Sequence, residues 1–318
     1  MKAWFVGLAL LALVAPPSAG AHIRSDAVAV DYRARVLAVP ASLAVRIYES
    51  DRAIRLTVAP GHSAVVLGYL DEPFVRVTAA GVEVNAAAPT TGAAALTVAH
   101  SAGWQRLSET GSVTWHDNRV RALPPGIDRA RWKIPLLVDG RPVSLQGELW
   151  RVREPAWWPW LLIGLPFLLV SLLVFFRRRP AVSSAAAAFG LLAAAGLVAS
   201  GAGLALDTYA STGKWIALGN ELAFAVAGVA VIAMGTRVAR GLAGGALGLL
   251  GLAAVALTFP VLLHGVVLSV FPATVARAVL VLTLWSAVAA TAFGLVVFED
   301  ELASAQLGEP LRDGLRVR

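Results

Sequence analysis

The chain has 318 residues, 58% of them hydrophobic and only 15% charged, with a mean hydropathy of +0.70, which excludes an ordinary soluble protein because so much apolar surface must meet lipid. The absence of cysteine excludes disulfides, thiolate zinc sites and cysteine-held copper or iron–sulfur centres. The net charge is +7, and the basic residues that flank the apolar segments are read as setting membrane orientation, without a nucleic-acid partner.

In chain order, the first 21 residues read as a signal peptide. Lys2 precedes an apolar core from Phe5 to Val14, followed by Pro16, Pro17 and Ala19-Gly20-Ala21. That core is too short for a stable span. Cleavage after Ala21 makes His22 the mature N-terminus; cleavage after Gly20 leaves Ala21 first.

Residues 22–154 hold 29 of the 47 charged residues, 16 basic against 13 acidic, and show period-two alternation. Val45–Tyr48, Ile54–Val58, Ala64–Leu67 and Phe74–Val77 read as strands. Asp139-Gly140 between 133–137 and 143–150 reads as a hairpin turn. Residues 86–103 read as a long loop. Glycine and proline punctuation about every ten residues points to an all-β sandwich or Greek-key domain outside the cytoplasm.

Residues 155–298 hold nine charges and read as five transmembrane helices, near 156–176, 184–206, 215–236, 241–262 and 276–298, with 299–318 as a cytoplasmic tail. The stretch 241–276 has no full charge and would be about 54 Å long as a helix, so it must break. Pro260 and Pro272 place an outward apolar loop or interfacial helix around 263–275. Arginines 177–179, Arg237, Arg240, Arg312, Arg316 and Arg318 mark the inner side, so the expected location is the plasma membrane with the β-domain outside. Small residues four apart, such as Gly241/Gly245 and Gly244/Gly248, permit close helix packing.

Four of the five histidines, His22, His62, His100 and His116, lie in the β-domain. A free N-terminal amine and imidazole at His22 can chelate Cu(II) together, with His116 as a second imidazole and Asp117 as a supporting oxygen. The structural alternative has His116 hydrogen-bonded near Trp115 and Trp132. Inside the membrane, Asn220 and Glu221 stand out, because a carboxylate there is costly unless neutralised, and His264 reaches the same outer level as a partner. Such a pair locks neighbouring helices or serves a small permease.

Several segments carry a resemblance: Val65–Tyr69 with Glu72–Val77, Gly81–Asn85 with Pro89, Trp104, Thr110-Gly111, Trp115-His116-Asp117, Trp132, Ile134–Leu136 and Leu145–Gly147. Together they resemble a group of actinobacterial multi-pass membrane proteins with a signal peptide and an exported β-domain. The central motif of that group reads Trp-His-Asp-His-Arg-x-His-Trp. Asn118 and Arg121 stand here in place of its second and third histidines. The resemblance implies a shared fold and brings no activity with it. A histidine following a signal peptide is also similar to periplasmic copper-carrier domains of the copper-resistance type, without their Asp-Gly-His signature.

No Walker loop, dinucleotide fingerprint, zinc-protease pair or nucleophile elbow occurs. The expectation is therefore a non-enzymatic membrane protein in contact with the bilayer, whose exported domain binds a ligand, copper being the most specific, or a protein partner. An envelope sensor or assembly subunit, and a small permease, are the alternatives.

Overall fold

The computed structural model describes residues 27–313 apart from 49, 52, 95, 100, 101, 122, 178–181 and 208–211. The expected signal peptide, His22 and His100 lie outside the described residues.

Alternation of apolar and polar residues builds two antiparallel sheets, because each strand can then bury one face. The larger contains β2 (Tyr32–Ala38), β5 (Ser63–Leu67), β6 (Pro73–Thr78), β7 (Gly81–Asn85), β8 (Trp104–Ser108), β10 (Arg129–Val138) and β11 (Arg141–Arg151), in the order β2-β11-β10-β5-β6-β7-β8. The smaller is β3 (Leu43–Tyr48), β4 (Ala53–Val58) and β9 (Ser112–His116), in the order β3-β4-β9. Ile54 and Leu56 of β4 and Trp115 of β9 are fully buried against Val66, Phe74, Val77, Ile134 and Leu145 of the larger sheet. Phe74 meets the Trp115 ring edge-on at 6.4 Å.

The Asp-Gly hairpin forms between β10 and β11. Asp139 and Gly140 take φ of 49° and 76°, the left-handed pair that matches strand twist. The expected loop 86–103 is only partly a loop. It contains α1 (Pro89–Ala93), whose Thr90 and Thr91 are buried with their hydroxyls donating to Glu72 Oε1 (2.6 Å) and the Asn85 carbonyl (2.6 Å).

After β11 come α2 (Trp158–Leu162), α3 (Leu165–Arg177), α4 (Val182–Ala205), α5 (Thr212–Met234), α6 (Arg237–Thr258), α7 (Pro260–Leu263) and α8 (Ala273–Asp313). Four of these, α4, α5, α6 and α8, are long and apolar enough to cross a membrane. The first expected span is instead divided at Ile163-Gly164, where Gly164 lies against the Trp285 indole, whose N–H donates to the Leu161 carbonyl at 3.1 Å. The expected tail continues α8 as helix as far as Asp313.

In the bundle, α4, α6 and α8 pack mutually, with α5 against α4 and α6. Glycines allow the approach. A Cβ on Gly190 would lie 2.6 Å from the Gly244 Cα, and one on Gly245 would lie 2.9 Å from the Gly294 Cα.

The segment after α7 is a loop that carries a short strand, and no interfacial helix forms there. Its β12 (Val266–Val267) pairs with β1 (Ala29–Val30) from the start of the β-domain, Ala29 opposite Val267 and Val30 opposite Val266. Leu268 N–H donates to the Val28 carbonyl and Val152 N–H to the Asp31 carbonyl, so the β-domain sits on the end of the bundle that holds this loop.

Gly244 touches the Ala186 backbone, so Gly244→Val should cost about 1–3 kcal/mol by overpacking. A lowered unfolding temperature of the detergent-solubilised chain is the expected measurement, with a Gly219→Val control, where nothing lies within 4 Å, left unaffected.

Candidate functional site

The motif Trp115–Arg119 ends β9 and turns into a 3₁₀ turn at Asn118–Val120. Asp117 is buried, and both of its oxygens are engaged. Oδ2 accepts from Trp115 Nε1 (3.0 Å) and Arg119 Nη2 (2.8 Å), while Oδ1 accepts from Arg119 N (3.0 Å) and Nε (2.9 Å). The same guanidinium donates to the carbonyls of Leu67 (3.2 Å) and Gly68 (3.3 Å) and lies 5.0 Å over the Tyr69 ring. Tyr69 Oη accepts from Asn118 N–H at 2.9 Å. The motif thus staples the end of the small sheet to the β5–β6 turn of the large one.

That turn is built around Glu72. Its carboxylate accepts from Thr90 Oγ1 (2.6 Å), Thr90 N–H (3.2 Å) and Leu70 N–H (2.9 Å). Burial pushes the Glu72 carboxyl up, but these hydrogen bonds outweigh it and hold it below its ordinary value. Fixed in this way, the turn projects Tyr69 and Leu70, which are 37% and 74% exposed, from the end of the sandwich. Burial raises the Tyr69 hydroxyl, so it stays protonated.

Of the proposed metal donors, His22 lies outside the described residues, while His116 and Asp117 follow one another at the end of β9. His116 ends β9 opposite Ala53, with its amide donating to the Ala94 carbonyl. Asp117 could ligate an ion only by giving up Arg119 or Trp115. His62 bonds Asp139 through Nδ1 at 2.7 Å on the β10–β11 hairpin, and this bond holds the Asp139 carboxyl below its usual range. Among the described residues, no three His, Cys, Asp or Glu side chains come together as a metal-holding group.

The proposed intramembrane pair is separated. His264 Nδ1 lies 2.8 Å from Asp31 Oδ2, while Asp31 Oδ1 accepts from Gly265 N–H at 3.1 Å. Arg277 at the start of α8 donates to the carbonyls of Val261 (3.1 Å) and His264 (2.8 Å), holding the same turn. Glu221 instead lies against Gly201 of α4, and Asn220 is on the exposed side of α5. The imidazole goes to Asp31 because β12 is drawn to β1, away from α5.

Sequence reading missed Asp31, Arg277, Glu72 and Thr90. A carboxylate just after a short apolar pair, as in Ala29-Val30-Asp31, was the available signal for the first; the others have partners too distant in the chain to be inferred. Comparison with protein-family models, with curated proteins and with solved structures finds no match.

Asp117→Asn would leave the Arg119 guanidinium without its counter-charge, and a loss of about 3 kcal/mol in β-domain stability is expected by chemical denaturation. A depressed carboxyl stabilises the fold above its unfolded value and less as pH falls through its folded one. Wild-type stability should therefore decline below pH 4.5, and Glu72→Gln should make that decline shallower.

Proposed function

We propose that this chain is a non-enzymatic multi-pass protein of the plasma membrane whose exported β-domain holds a protein partner and passes the bound state to the helices. The carrying observation is the clasp between β1 and β12, reinforced by Asp31 and His264, which makes the β-domain and the bundle one mechanical unit. A domain meant only to be tethered needs a linker; this one is joined by backbone pairing to a loop between two spans.

The orientation is supported by charge. Arg177, Arg237 and Arg240 lie at the bundle end away from the β-domain, as the positive-inside rule requires of a cytoplasmic face. The partner-facing surface is the tip formed by Tyr69 and Leu70. It offers an aromatic and an aliphatic side chain on a turn held by Glu72 and Arg119, the rigid anchor type that dominates interface energies.

The assembly-subunit reading is the nearest variant and shares this clasp. Copper, the ligand the sequence names, would have to use His22 and His116 without an Asp117 oxygen. A permease would need Asn220, Glu221 and His264 to converge, and His264 is engaged elsewhere.

Because the natural chain has no cysteine, single thiols report topology cleanly. In intact cells a membrane-impermeant maleimide should label Leu70→Cys and spare Ser304→Cys; the reverse pattern would overturn the orientation. A stoichiometric protein recovered from native membranes with the wild type should be lost with Leu70→Asp and retained with Arg141→Ala. An equal yield from both would reject the tip as the contact. Breaking the clasp with Asp31→Ala and His264→Ala together should speed amide exchange in 28–30 and 265–268 at least tenfold, leaving the sandwich core unchanged.

A further inference from the structure

Between Asp207 and Glu299 the chain has a single acidic residue, Glu221. It belongs to the inward stripe of α5, with Lys214 and Leu218 outward of it and Gly228, which packs on Leu247 of α6, inward. The carboxyl occupies a cradle on α4 made by the missing side chain of Gly201, since a Cβ there would collide with Oε2. Glu221 Oε2 is buried and has no hydrogen-bond partner among the described residues.

The groups able to neutralise it can be named from each neighbouring element. α4 carries no ionisable residue. α6 carries Arg237 and Arg240 only, at its far inner end. On α5 itself, Lys214 is two turns outward, about 10 Å along the axis. Arg277 of α8 is committed to the carbonyls of Val261 and His264, and His264 to Asp31. A metal cation is also ill suited to the cradle, because hard cations need several oxygens and the backbone of α4 at Gly201 is already hydrogen-bonded within its helix.

α5 is also the least anchored of the four long helices. Only 6% of its apolar window is buried, against 39–50% for the other three. We propose that Glu221 is a proton-binding site, occupied when α5 docks on α4 at Gly201 and emptied when α5 moves away to give the carboxylate to water. Proton and helix position are then linked: the docked arrangement takes up one proton from the outer aqueous side, and the undocked one releases it. This inference is independent of the partner-binding tip.

Full-length protein in lipid nanodiscs tests it. Infrared spectra at neutral pH should show the carbonyl stretch of a protonated carboxylic acid that is absent from Glu221→Gln. Around neutral pH the unfolding temperature of the wild type should fall more steeply as pH rises than that of Glu221→Gln, because a proton held only in the docked state stabilises that state less as the pH rises. Gly201→Ala fills the cradle and should abolish the band although Glu221 remains, with helix content unchanged by circular dichroism. Wild-type and Glu221→Gln spectra that coincide in this region would overturn the proposal, as would parallel pH profiles. A band removed by sodium at fixed pH would overturn it in favour of a cation site.

Discussion

A chain leaving a bilayer must find partners for every peptide N–H and C=O it exposes near the hydrocarbon, and this constraint organises the molecule. Between α6 and α8 the chain cannot continue as one helix, since Pro260 and Pro272 interrupt it, and the apolar residues there have no water-facing sheet of their own. The solution is to borrow a strand. β1 supplies the missing ladder, the Asp31 carboxylate takes the Gly265 amide, and Arg277 takes the carbonyls of Val261 and His264. The loop between the two helices is completed by the β-domain, and the β-domain is thereby seated.

The same logic of satisfaction explains the Trp115–Arg119 motif. Burying a carboxylate is costly unless its charge is matched and its lone pairs are filled. Asp117 meets both conditions through Arg119 and the Trp115 indole, and Arg119 spends its remaining donors on the β5–β6 turn. A motif that in sequence invites a metal is, in three dimensions, a polar staple between two sheets. It ties down the turn that carries Tyr69 and Leu70.

Glu221, the single acidic residue between Asp207 and Glu299, is not matched in this way, since its Oε2 has no hydrogen-bond partner among the described residues. It lies against Gly201 of α4, and its helix has the smallest buried share of the four long helices.

Local pattern was enough to read much of the fold. Period-two alternation marked β3, β4, β5 and β6, Asp139-Gly140 marked the hairpin, and apolar length marked α4, α5, α6 and α8, because strands, turns and spans each depend on residues only a few positions apart. The tertiary structure alone decided that β12 pairs with β1, that Asp31 takes His264, that Asp117 belongs to Arg119 and the β5–β6 turn, and that Glu221 faces Gly201. Asp31 and His264 are separated by 233 positions, and no periodicity relates residues so far apart. Such pairings arise from which polar groups remain unsatisfied once the sheets and helices have packed, and that balance exists only in the folded chain.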